Sequence, residues 1–229
     1  MKTLFLSVLF CLSLALSAAA QVPAARPQAA VANADAKKNR AIAGQKLMAR
    51  LGGMVESPEA GPALVIIDTQ QRVPFATIEA FDAHVRKVLR LPCSAIQKTS
   101  KDPIAAALKI LADTNTAAVV VLGDSPGYPA LLVAPESRWA LVNVAALAAD
   151  GASAEQLAER TRKELWRAFG YIMGAANTTT DFCPMKTVLS LADLDALKGT
   201  NLDPESFNKI LAHAQTLRMR PVRRTSYRK

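Results

Sequence analysis

KELWRAFGYIM, Lys163 to Met173, is the second half of one long helical pattern. The pattern opens at Ser153, with Gln156 three residues on, the arrangement of a capping box. Leu157, Thr161, Leu165, Ala168, Phe169 and Ile172 recur at helical spacing and form an apolar stripe. Gly170 and Gly174 mark where the helix weakens or stops. Lys163, Glu164 and Arg167 then read, at their plainest, as a solvated face. One helix is expected from 153 to about 173.

Upstream, strand-length and helix-length patterns alternate. ALVIID (63–68) and AAVVVLG (117–123) are continuous apolar runs of strand length, with a shorter strand beginning at CSAI (93–96). Between them, Ile78, Phe81, Val85, Val88 and Leu89 recur at helical spacing. Asp102-Pro103 supplies an N-cap and a first-turn proline to a second helix, whose stripe is Ile104, Leu108 and Leu111. The β-α-β-α-β order predicts a parallel sheet with right-handed crossovers. ALLVA and WALVNV, joined by PESR, add an antiparallel hairpin. Downstream of the long helix come a polar loop, ANTTTDFCPM, and a short helix near Ser190–Leu197. A last helix follows, capped by Asp203-Pro204, with Phe207, Ile210, Leu211 and Ala214 inward.

The ends differ in kind from this α/β body. Residues 1–20 have the form of an export signal: Lys2, then the apolar LFLSVLFCLSLAL, then Ala18-Ala19-Ala20 as a small-residue cleavage site. The alternative, a membrane anchor, is disfavoured by those small residues and by the shortness of the run. The expected product is soluble and secreted or periplasmic. Residues 21–55 are an Ala/Pro-rich linker with a possible short helix, AKKNRAIAGQKLMARL, and 56–217 form the domain. The chain carries a net charge of +9, or +8 without Lys2, and six of those charges lie in residues 218–229. They are Arg218, Arg220, Arg223, Arg224, Arg228 and Lys229, with no acid among them. This segment is expected to be a disordered tail, with binding to an anionic envelope surface or nucleic acid as the functional alternative. Two cysteines remain after signal removal, Cys93 and Cys183. In an oxidising compartment they are disulfide candidates, the alternative being two unrelated buried thiols.

The order of elements, the stretch 163–173 and the FCPM run (182–185) together resemble the metzincin metallopeptidases, and most of all the archaemetzincin branch. That family has a three-layer α/β upper half, an active-site helix bearing H-E-x-x-H-x-x-G-x-x-H, and a Met-turn. Aligned without gaps, Lys163 falls at the first His and Glu164 matches the general-base Glu. Arg167 falls at the second His, Gly170 matches the turn Gly, and Met173 replaces the third ligand. FCPM resembles the Cys-x-Met of the archaemetzincin Met-turn, with Met185 as its methionine. The hairpin LLVAPESRWALVNVAAL resembles the strands before the helix, and the resemblance spans about residues 60 to 197. The family's additional Cys-x-x-C zinc motif is absent.

The replacements bear on the chemistry. A catalytic zinc needs three protein ligands with free lone pairs. Charged Lys and Arg offer donors only, and a thioether such as Met173 suits copper(I) better than zinc. The chain's two histidines, His84 and His213, fall on other helices and read as ordinary helix residues. The resemblance therefore implies an exported, zinc-free metallopeptidase homologue that binds peptide or protein in its cleft, with no cofactor. Two alternatives stand beside it. One is an active hydrolase using zinc at an unanticipated site, or Cys183 chemistry. The other is an envelope-associated protein acting through its basic tail.

Overall fold

The computed structural model describes residues 61–222. The expected signal (1–20), linker and short helix (21–55), and the basic residues Arg223, Arg224, Arg228 and Lys229 lie outside the described residues.

Five strands form one sheet: β1 (Ala63–Asp68), β2 (Cys93–Gln97), β3 (Thr116–Gly123), β4 (Leu131–Ala134) and β5 (Trp139–Asn143). Their order is β2-β1-β3-β5-β4; every pair is parallel except β4–β5. The central strands are covered on both faces, which is why ALVIID and TAAVVVLG read as unbroken apolar runs. The connecting helices are α1 (Phe75–His84), prolonged by a π-helical turn over Val85–Leu89, and α2 (Pro103–Leu111). After β5 come a single-turn α3 (Val144–Leu147), the long α4 (Ala154–Ile172), α5 (Leu191–Ala196) and α6 (Pro204–Thr216).

The result is a three-layer α/β domain. Alternate side chains of β1 and β3, Leu64, Ile66, Val120 and Leu122, pack with Phe81 of α1 and with Leu165, Trp166 and Phe169 of α4. Phe81, Trp166 and Phe169 meet edge to face, with centroids 4.8 to 6.2 Å apart. The other set, Ile67, Val119 and Val121, packs with Ala107, Ile104 and Leu111 of α2. The caps form where the sequence puts them. Ser153 accepts from the Gln156 amide, Asp102 from Ala105, and Asp203 from Ser206. The side chain of Gln156 reaches Asp195 instead of completing a capping box.

Three expectations are corrected. In α2, Leu108 is half-exposed, while Pro103, Ala106 and Ala107 are the buried residues. The small side chains let the helix backbone approach the sheet, so the buried stripe is rotated from the one drawn through Leu108. The tail does not begin at 218. Met219 is buried in the core, and the Val222 amide donates to the Arg90 carbonyl. Cys93 and Cys183 are free thiols, both buried. They have different neighbours: Cys93 faces Asp82, and Cys183 faces Asp203. The helix expected from 153 to about 173 forms as one element, with Gly170 inside it. The helix runs on to Ile172, and the chain turns at Gly174, whose φ is +79°.

Candidate functional site

The C-terminal half of α4 carries charge on a buried face. Lys163 is 4% exposed, Glu164 2% and Arg167 6%. The solvated-face reading of these three residues is therefore wrong; each charge has a fixed partner. Lys163 Nζ donates to the carbonyls of Leu194 and Asp195, 3.0 Å each, and lies 3.8 Å from Glu159. Its ammonium thus holds the end of α5, where orphan carbonyls and the helix dipole favour a cation.

Arg167 is bound from both sides. Its Nε donates to Glu164 Oε2 at 3.1 Å. Its Nη1 donates to the carbonyls of Pro184 (3.2 Å) and Lys186 (2.6 Å), on either side of Met185. The guanidinium carbon stands 5.6 Å from the Tyr171 ring centroid. Burial pushes the Glu164 carboxyl above its ordinary value, and the Arg167 charge opposes that rise.

Met185 packs directly under Gly170. A side chain at Gly170 would run into Met185 Sδ, with Cε 3.0 Å away. The glycine is therefore needed for this close approach and not for a turn. The Thr178 amide donates to the Met185 carbonyl at 3.0 Å, which closes the turn.

Glu164 and Arg167 lie at the wall of a cleft of about 620 Å³. One side of the cleft is β4, through Leu131 and Val133; the other is the segment Val188–Leu191 and Leu194. Among the described residues, Glu164 and Arg167 are the only charged side chains in that lining. Leu189, at the rim, is 88% exposed. Of the five positions aligned with the metal motif, only these two border the cleft. Lys163 is turned to α5. Met173 is fully buried in the core beyond a helix that has not yet turned.

This donor set does not fit zinc. Among the described residues, no three His, Cys, Asp or Glu side chains come together as a metal site. His84 stacks edge-on against Trp166, 5.1 Å between centroids, and neither it nor His213 borders the cleft. Cys183 is buried, which pushes its thiol up and disfavours the thiolate a nucleophile requires. Tyr171, Leu131, Val133, Leu189 and Leu194 were not singled out in the sequence as site residues; the segments that bring them together are remote in sequence.

A third buried cation, Arg160, braces this region. At 1% exposed, it donates to Leu147 O (2.7 Å), to both oxygens of Asp150 (2.7 Å each) and to both of Asp195 (2.8 and 2.6 Å). It ties α4 to the α3–α4 loop and to α5.

No protein-family model matches the sequence, and no curated protein matches it. Solved structures do. The archaemetzincin of Methanopyrus kandleri superimposes with a TM-score of 0.55 at 21% identity, over 71% of this chain and 99% of that one. A zinc-dependent peptidase of Methanocorpusculum labreanum gives 0.50 at 18%, over 65% and 100%. The fold is archaemetzincin-like, as the motif at 163–173 and the element order lead one to expect.

Proposed function

We propose that this is an exported, zinc-free protein of archaemetzincin-like fold that binds extended peptide or protein segments in its cleft without cleaving them. One observation carries the reading. Arg167, which aligns with the second metal ligand of the family motif, is a buried cation tied to the motif's glutamate and to two carbonyls of the Met185 turn. A dication beside it would meet Coulomb repulsion and no lone pair. Glu164, the counterpart of the general base, is engaged as an ion-pair partner and has no metal-activated water to deprotonate.

Binding has structural support of its own. β4 is an edge strand, and Leu131 and Val133 border the cleft. An edge strand offers unpaired backbone donors and acceptors to an added strand, while the apolar walls take side chains. The Lys2-to-Ala20 pattern supports export.

The test is elemental analysis of purified protein lacking residues 1–20, with peptide cleavage measured with and without added zinc. The expected result is no stoichiometric zinc and no cleavage in either condition. One equivalent of tightly bound zinc with chelator-sensitive proteolysis would overturn the proposal.

A further inference from the structure

The Arg167 guanidinium has five N–H donors. The Nε hydrogen goes to Glu164, and the two on Nη1 go to the Pro184 and Lys186 carbonyls. The Nη2 edge makes none of these hydrogen bonds; the Tyr171 hydroxyl is a further group that interacts with the guanidinium. That hydroxyl donates its proton to Asn177 Oδ1 at 2.5 Å, so toward the guanidinium it is a neutral acceptor, which a charged carboxylate would outcompete. Among the described residues, the Nη2 edge belongs to the only cation lining the cleft, whose remaining lining is apolar apart from Glu164, Tyr171 and Ser190. Three fixed hydrogen bonds hold the guanidinium in place, so little side-chain freedom remains to be lost on binding. Glu164 commits Oε2 to Nε, and a ligand carboxylate must outweigh the repulsion of this neighbouring carboxyl group for its share of the arginine.

From this we infer that the cleft takes ligands carrying a carboxylate, which the Nη2 edge of Arg167 receives while apolar flanks lie against β4 and Leu191–Leu194. The inference rests on the peptide-binding reading above and adds the chemical class of the occupant. The carboxylate has two possible sources, a chain's C-terminus or an internal acidic side chain. Charge-assisted hydrogen bonds are the strong ones, and removing one changes affinity by about tenfold or more. Glu164 and the ligand then compete for one positive charge. Neutralising Glu164 should favour the ligand.

The experiment uses purified protein lacking residues 1–20 and three N-acetylated, fluorescently labelled peptides of Leu, Val and Ala. One ends in a free carboxylate, one in an amide, and one in an amide with a central Glu. Anisotropy titrations should show at least one carboxylate peptide binding about tenfold or more tightly than the uncharged amide. Which of the two does so identifies the source. Arg167→Met should remove that preference. Glu164→Gln, which keeps the arginine, should raise it several-fold and serves as the test if Arg167→Met fails to fold. A purely structural ion pair would leave the acid-to-amide ratio unchanged in Glu164→Gln. Equal binding of all three peptides overturns the carboxylate inference and leaves the peptide cleft standing. Absence of binding by all three overturns both.

Discussion

Replacing Arg167 by Met keeps much of the aliphatic stem and removes the charge. The side chains of the Glu164–Arg167 pair are 3% and 7% exposed, so neither partner is well solvated. Deleting one member of such a pair typically costs about 3–5 kcal/mol, because the other is left as a buried, unpaired charge. The Pro184 and Lys186 carbonyls also lose their donor, although water from the adjoining cleft replaces part of that loss. Urea unfolding of the variant should therefore fall short of the parent by about 3–5 kcal/mol at pH 8. Combining it with Glu164→Gln should recover about 1–3 kcal/mol, the coupling expected of residues in direct contact. The pH dependence has a definite sign. Burial raises the Glu164 carboxyl above its ordinary 4.5, and the arginine opposes that rise. Without the arginine the carboxyl rises further. A raised acid favours the folded state below its unfolded pKa, and that contribution is lost as pH rises through the folded pKa. The variant's deficit should be smallest near pH 4 and fullest at pH 8. A cost below about 1 kcal/mol, flat with pH and without coupling to Glu164, would mean the pair behaves as a solvated surface pair.

Gly170→Ala should destabilise by about 1–3 kcal/mol, read by thermal unfolding, because the new methyl meets the buried Met185 thioether. Arg160 holds the Asp150 and Asp195 carboxyls below their ordinary 3.8 through hydrogen bonds. The stability those carboxyls confer is present above that value and lost as pH falls through their folded pKa. The gap between the parent and Arg160→Gln should accordingly narrow below about pH 4 in denaturant titrations. Thiol titration of denatured, unreduced protein lacking residues 1–20 should find Cys93 and Cys183 both free, and native protein should react slowly; no reactive thiol after denaturation would restore the bridge. Ending the chain after Leu217 removes Met219 and the Val222–Arg90 hydrogen bond, and should cost about 2–5 kcal/mol; ending it after Val222 keeps both contacts.

The strands and caps were legible because their signals are local. ALVIID and AAVVVLG have strand length and full apolar character, and Ser153, Asp102 and Asp203 each hydrogen-bond three residues ahead. The chemistry of 163–173 was legible only as residue types. Nothing near Lys163 in sequence indicates that the carbonyls of Leu194 and Asp195 will receive it, 31 and 32 residues away. Arg167 likewise finds its carbonyls 17 and 19 residues on. Helical periodicity sorts apolar from polar positions, so it assigns a buried charge to the solvent side by default. The same blindness hid Arg160 and placed Leu108 in the core. The six basic residues after 217 suggested a detached tail, but the apolar Met219 among them packs into the core.

Lys163, Arg167 and Met173 each now hold a different neighbour: the end of α5, the turn around Met185, and the core beyond the helix. For protein engineers this defines a rugged mutational landscape. A library that installs histidine at one of these positions at a time would select against every first step, since each single exchange loosens a segment before any metal can compensate. Variants with new coordination chemistry on this scaffold would have to be sought among simultaneous exchanges that re-anchor those segments in the same move.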